Sequence, residues 1–149
     1  MKNTVIIISI IICILGISFY KKDLKPISGN QIKVLKVYDG DTILAEIKDE
    51  KYNSVNKFKI RLLGIDCFEG KDSEKAKRQA EKYNISIEKI TEGGNIAREI
   101  LEKELKNKTV YFDFKGIDKY SRALGILYTD SQNINQKMLN NDYCKPYEK

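Results

Sequence analysis

The residues of this chain that could do chemistry fall in three short clusters. Asp39-Gly40-Asp41-Thr42 comes first, Arg61, Asp66 and Glu69 share the run FKIRLLGIDCFEG, and Asp118-Lys119-Tyr120-Ser121-Arg122 comes last. Each has a plain reading. Two acids beside a glycine make an ordinary hairpin turn. An arginine inside an apolar strand needs an anion, which an internal pair with Asp66 or Glu69 would supply. The third cluster could be a charged hairpin loop. Taken together they describe one site. Asp41 and Asp66 offer hard oxygens to a cation. Glu69 would handle a water, and Arg61 and Arg122 would clamp a phosphate and meet the charge that grows on it in the transition state. An EF-hand is excluded, because that loop carries its glycine at the sixth position and needs further oxygen ligands.

Composition narrows the chemistry further. The chain has no histidine. That excludes triads with a histidine base, histidine-based ribonucleases and most zinc sites. Hydrolysis must then rest on carboxylates, a hard metal ion, lysine, tyrosine or cysteine. The basic residues are 23 lysines and only four arginines, Arg61, Arg78, Arg98 and Arg122. In so lysine-rich a chain, each arginine asks what a planar fork does that an ammonium cannot. Net charge is +6, of which Lys2, Lys21 and Lys22 supply three and the rest of the chain +3. That balance permits binding to a polyanion without requiring it.

These residues need elements to hold them. Ile32–Tyr38 and Thr42–Lys48 are rich in β-branched residues and flank the Asp39-Gly40 turn signal, so they form a hairpin. Asp49–Lys57 is polar and reads as a connection, and Phe58–Ile65 as a third strand. Ser73–Tyr83 is helix-forming and highly charged. Thr91–Lys106 carries Ile96, Ala97, Ile100, Leu101 and Leu105 on one helical face, and Asn107 suits its end. Thr109–Lys115 and Ala123–Thr129 read as the fourth and fifth strands, and Asn133–Asn141 as a short helix. This order predicts an α+β, mainly β, fold: a five-stranded Greek-key barrel of OB type with a helical insertion and a short C-terminal helix.

Val5–Tyr20 is an apolar run of 16 residues between lysines. It is slightly short for a membrane span and fits a signal-peptide core. Residues 1–22 therefore read as a signal peptide or an N-terminal membrane anchor, 23–30 as a linker and 31–149 as the folded domain. The chain is expected to be exported, either secreted or held on the outer face of the membrane through residues 5–20. Cys67 and Cys144 would meet an oxidising compartment, but their spacing leaves their pairing open.

The ordered set VYDGDT, IRLLGIDCFE and DKYSRALGILY resembles the staphylococcal nuclease (thermonuclease) family over roughly residues 32–141. Three motifs in order are specific where any one is weak. The resemblance implies an OB barrel, one Ca²⁺, DNA and RNA as substrates, and products with 3′-phosphates. Carried over by motif position, Asp41, Asp66 and the backbone carbonyl of Cys67 would be metal ligands. Glu69 would be the general base, and Arg61 and Arg122 the catalytic arginines. Lys119 and Tyr120 would bind nucleotide phosphate, with Asp39 in support near the metal. The chain departs from the pattern at Phe68, where the family often has proline, which leaves the placement of Glu69 open. Tyr143 and Tyr147 are unaligned candidates for stacking a base. A non-catalytic, membrane-tethered OB module that binds nucleic acid is the alternative. The retention of Asp41, Asp66, Glu69, Arg61 and Arg122 favours the enzyme. No obligate protein partner is indicated.

Overall fold

β-Branched residues alternate with polar ones from residue 30 onward and carry the chain into β1 (Asn30–Asp39) and β2 (Thr42–Asp49). The computed structural model describes residues 29–130 and 132–147, so the apolar run at 5–20 and the segment 1–22 lie outside the described residues. β1 and β2 pair antiparallel, with Asp39 opposite Thr42 across the Gly40-Asp41 turn. β2 pairs along its whole length with β3 (Ser54–Leu62), which sets Thr42 against Arg61. The other edge of β1 pairs with β5 (Val110–Ile117), and β5 with β6 (Ala123–Thr129). A parallel pairing of Ile60, Arg61 and Leu62 with Ala123, Leu124 and Gly125 joins β6 back to β3 and closes the five strands into a barrel. Closure removes the open edges that a sheet otherwise exposes. The fold is the expected α+β OB-type barrel.

Inside the barrel, Ile43, Ala45, Ile60, Leu62 and Leu127 are fully or almost fully buried. Two helices cover its ends. α2 (Ile87–Leu105) contributes Ala97, Leu101 and Leu105, and α3 (Ile134–Leu139) contributes Ile134 and Met138. Each large aliphatic side chain buried in this way contributes about 1.5–3 kcal/mol. A smaller cluster of Phe68, Ala76 and Ile90 glues α1 (Glu74–Tyr83) and α2 to the loop that follows β4 (Ile65–Cys67). The buried amide of Asn135 pins α3 to the barrel: it accepts from Leu127 N–H and donates to the carbonyls of Leu63 and Gly125.

Three expectations are corrected. β3 begins at Ser54 rather than Phe58, because Ser54–Lys57 pairs fully with β2 while facing solvent, so polar composition there is no sign of a loop. The third strand ends at Leu62; Gly64, with φ at +76°, turns the chain into the separate short β4. α2 starts at Ile87 instead of Thr91, capped by the Ser86 side chain, which accepts from Lys89 N–H. Beyond α3, where the sequence carries no expectation, the chain forms β8 (Cys144–Pro146), which pairs with β4 and sets Cys144 opposite Cys67. These cysteines form a disulfide that spans 77 residues of sequence. The last two elements matter most for function, because β4 carries Asp66. A two-residue strand, β7 (Gln132–Asn133), turns back and pairs antiparallel with the end of β6.

Candidate active site

Asp41 is the second residue of the β1–β2 turn, and it is buried, 2% exposed. Two devices fix it. Its own N–H donates to Asp39 Oδ1 at 3.0 Å, an Asx turn that orients the loop. Gly40 lets the turn lie flat against the helix, since a Cβ there would stand 2.7 Å from both Ala97 Cβ and Cys67 Cβ. The Asp41 carboxylate then accepts from Cys67 N–H at 2.7 Å and from the Thr42 hydroxyl at 3.1 Å. It meets Arg61 Nη1 at 2.8 Å.

Arg61 bridges the two acids. It stands across from Thr42 in the β2–β3 register, with its side chain 11% exposed. One fork nitrogen meets Asp41 and the other meets Asp66 Oδ1 at 3.1 Å. Only a guanidinium can hold two separate carboxylates in a fixed plane in this way. Burial pushes the Asp41 carboxyl up to about 7, and the neighbouring charge of Asp39 adds to the rise. Arg61, Lys75 and the Cys67 N–H pull in the opposite direction without overcoming burial.

Helix α1 supplies the remaining connections. Ser73 caps it by accepting from Ala76 N–H, and Ala76, Ala80 and Tyr83 turn one face toward Phe68 and Ile90. Lys75 and Gln79, four residues apart, share the face that looks at the acids. Lys75 Nζ lies 3.1 Å from Asp66 Oδ1 and 2.6 Å from Glu69 Oε1. Burial by itself would lower its pKa, but Asp41, Glu69 and Asp66 outweigh that and hold it above the ordinary lysine value. The buried Gln79 amide donates to Asp66 Oδ2 at 3.2 Å and to the Cys67 carbonyl at 3.0 Å, and accepts from Glu69 N–H at 2.9 Å. One side chain thus ties together Asp66, Cys67 and Glu69.

Phe68 settles the placement of the Glu69 loop by a different route from proline. Its ring is 4% exposed and packs against Tyr83 with centroids 5.6 Å apart. Its N–H, which a proline would lack, donates to the Tyr143 carbonyl at 2.8 Å. From behind, α2 presses on the loop at Gly94, where an added Cβ would stand 2.3 Å from the Glu69 carbonyl carbon.

The opposite wall is the β5–β6 loop. Arg122 is paired with Asp118 through Nε and Nη2, both at 2.8 Å. Desolvation resists ionisation of Asp118, but N–H groups and the Arg122 guanidinium prevail and hold its carboxyl below the usual range. Tyr120 is 68% exposed, and its ring lies 5.1 Å from Lys119 Nζ and 5.4 Å from the Arg122 guanidinium. A cavity of about 860 Å³ separates this loop from the acids; Asp39, Asp41, Arg61, Asp66, Glu69, Lys119, Tyr120 and Arg122 all line it. Of the residues singled out from sequence, Cys67 lies behind the lining, its carbonyl turned to Gln79. Tyr147 also lines the cavity, whereas Tyr143 packs against Phe68 and Gly93 and is not free to stack a base.

Lys75 and Gln79 were not foreseen. The run SEKAKRQAEKY reads as a solvated helix, and only the i, i+4 spacing of a lysine and an amide hints at a shared face. Among the described residues, no group of three histidine, cysteine, aspartate or glutamate side chains is gathered closely enough to hold a metal alone.

A family model for staphylococcal nuclease homologues matches residues 59–149, which include Arg61, Asp66, Glu69 and Arg122 but not Asp41. An uncharacterized protein of Methanocaldococcus jannaschii is 36% identical over 129 residues, covering 77% of this chain and 58% of that protein. An uncharacterized endonuclease of Haemophilus influenzae is 28% identical over 119 residues, covering 80% of this chain and 53% of that protein. The chain thus spans little more than half the length of these relatives. The family match, the closed OB-type barrel and the cavity it carries agree, and the chain belongs to the staphylococcal nuclease homologue family.

Proposed function

We propose that this chain is an exported, calcium-dependent nuclease that hydrolyses phosphodiester bonds in DNA and RNA and leaves 3′-phosphate ends. The observation that carries the reading is the Arg61 fork, held between Asp41 and Asp66 on one wall of a cavity whose other wall is Arg122. A phosphate between the walls would give both guanidinium groups an anion of matching geometry.

The donor set fits a hard cation. Asp41 and Asp66 present carboxylate oxygens and Cys67 a carbonyl, with no soft ligand among them. The Lys75 ammonium already stands among the acids as a stand-in positive charge. Asp41, Asp66 and the Cys67 carbonyl would hold calcium once Gln79 and Lys75 yield. When bound, calcium would lower the charge on the phosphate oxygens and orient a water.

The chain's own groups then divide the work. Arg61 and Arg122 hold the phosphate and stabilise the extra negative charge of the transition state. Glu69 takes a proton from the attacking water. The water oxygen bonds to phosphorus as the bond to the 5′-oxygen breaks, and the departing 5′-oxygen gains a proton. Lys119 and Tyr120 would steady the flanking nucleotide. The disulfide supports export, since such bonds persist in oxidising compartments. Among the described residues no helix is long and apolar enough to cross a membrane. A plasmid-nicking assay on the full chain tests the proposal: cleavage with calcium and none with EDTA is expected, and undiminished cleavage in EDTA would defeat it.

A further inference from the structure

Lys75 takes no part in the proton transfer or phosphate binding described above, yet it makes the shortest ion pair in the cavity, 2.6 Å to Glu69, and a second at 3.1 Å to Asp66. Its side chain is 38% exposed, and it sits between the Ser73 cap and the buried Ala76, so its stem leaves the helix toward the acids. Lys77, two residues on, points away and pairs with Glu74 at the surface. On the acidic wall three carboxylates, Asp41, Asp66 and Glu69, are paired with two cations, Arg61 and Lys75. Arg61 is locked into both acids and the β2–β3 ladder. Lys75 is a point charge on a flexible stem, so it is the cation that can leave.

We propose that Lys75 is a built-in competitor for the metal: its ammonium holds Asp66 and Glu69 until a divalent ion displaces it, and it thereby sets the cavity's affinity for calcium. The proposal rests on the metal-dependent reading above and concerns one residue that the reading leaves unused. The device has two consequences. It keeps three crowded carboxylates partly neutralised in the metal-free protein, where their mutual repulsion would otherwise splay the Glu69 loop. It also makes metal binding weak, because the ion must first expel a positive charge already in place.

Calcium binding to the full chain in mild detergent, measured by titration calorimetry without nucleic acid, tests this. Lys75→Met and Lys75→Gln should each bind calcium about ten- to a hundredfold more tightly than the unaltered chain. Lys75→Arg should stay weak, and Lys77→Met should change affinity by less than about twofold, since an exposed charge at a distance is screened. Unchanged or weaker binding in Lys75→Met overturns the proposal, as does equal tightening in Lys77→Met or a failure of every protein to bind calcium. A second measurement needs no variant. Calcium should expose Lys75 and raise its acetylation rate relative to Lys77, read by mass spectrometry; a rate ratio indifferent to saturating calcium overturns the proposal. A chain that shows this Lys75 dependence but cuts no nucleic acid refutes the nuclease reading alone. A chain that cuts with calcium and ignores Lys75 refutes this proposal alone.

Discussion

The two walls of the cavity are built on opposite principles. The acidic wall is over-determined: three elements, β3, β4 and α1, hold Asp41, Asp66 and Glu69 through Arg61, the Cys67 N–H and Gln79, and the Cys67–Cys144 disulfide lies directly beneath. The β5–β6 wall is local. Asp118 accepts from Tyr120 N–H, Arg122 N–H and the Arg122 guanidinium, all within five residues, and Ser121 sits at a φ of +60°. The difference suits the walls to the different tasks proposed for them. A site for a metal and a water must hold its oxygens fixed before the ligand arrives. A site for a polymer must let the polymer in, and a loop held by its own short hydrogen bonds can release Arg122 from Asp118 to a phosphate.

The sharpest way to break this comparison is to remove an arginine from each wall. Arg61→Ala leaves two carboxylates facing each other without their bridge and should lower stability by about 3–5 kcal/mol, the usual result of stripping one partner from a buried pair. Arg122→Ala loses one local contact and should lower it by no more than about 1 kcal/mol. Both should abolish turnover, and Arg61→Lys and Arg122→Lys should lower it by orders of magnitude for want of the fork. Arg78, exposed on α1, and Arg98, paired with Glu102 on the outside of α2, should tolerate lysine without loss. Urea unfolding and nicking rates for these variants decide it; equal stability losses at Arg61 and Arg122 would erase the distinction between the walls.

Next in size is the disulfide. Its reduction, or Cys144→Ser, should cost about 2–4 kcal/mol. The loss should fall on the acidic wall, because β8 is what holds β4 from outside. Amide exchange should therefore rise in Ile65–Cys67 and the Glu69 loop and stay unchanged in residues 118–122. Uniform loosening would show that the bond serves the whole barrel. Gly94→Ala comes third. A methyl against the Glu69 backbone has nowhere to go, and overpacking of this kind costs about 1–3 kcal/mol. It should reduce turnover more than it reduces stability, and a variant with normal kinetics would mean that Glu69 does not depend on its support from α2. The smallest effect belongs to the loop: Ser121→Gly relieves a left-handed backbone and should change stability by less than about 1 kcal/mol.

How far these features could be read from sequence follows the same division. The strands that alternate against the barrel core, and the arginine that interrupts one of them, announce themselves by pattern. β6 runs over the expected residues, and β1 and β2 extend the expected ones by a residue or two at their ends. Arg61 drew attention because an arginine in an apolar strand needs an anion, and it has two. What sequence hid is what depends on distant packing. Ser54–Lys57 looks like a loop because its partner strand, not its composition, makes it extended. Three residues of β8 carry no periodic signal, and their pairing with β4 exists only because α3 turns the chain back. Lys75 and Gln79 differ in no local way from the other polar residues of α1; their inward phase is set by Ala76, Ala80 and Tyr83 packing beneath Phe68.

The central claim is that the acidic wall holds the metal through Asp41 while Glu69 acts on water. Nicking rates across a range of calcium concentrations, for Asp41→Asn and Glu69→Gln side by side, test it most directly. The account predicts that Asp41→Asn is partly rescued by high calcium. It predicts that Glu69→Gln stays about 10²–10⁴-fold slow at every concentration, the usual range for loss of a general base. Rescue of Glu69→Gln by calcium with none for Asp41→Asn, or full activity of Glu69→Gln throughout, would contradict it.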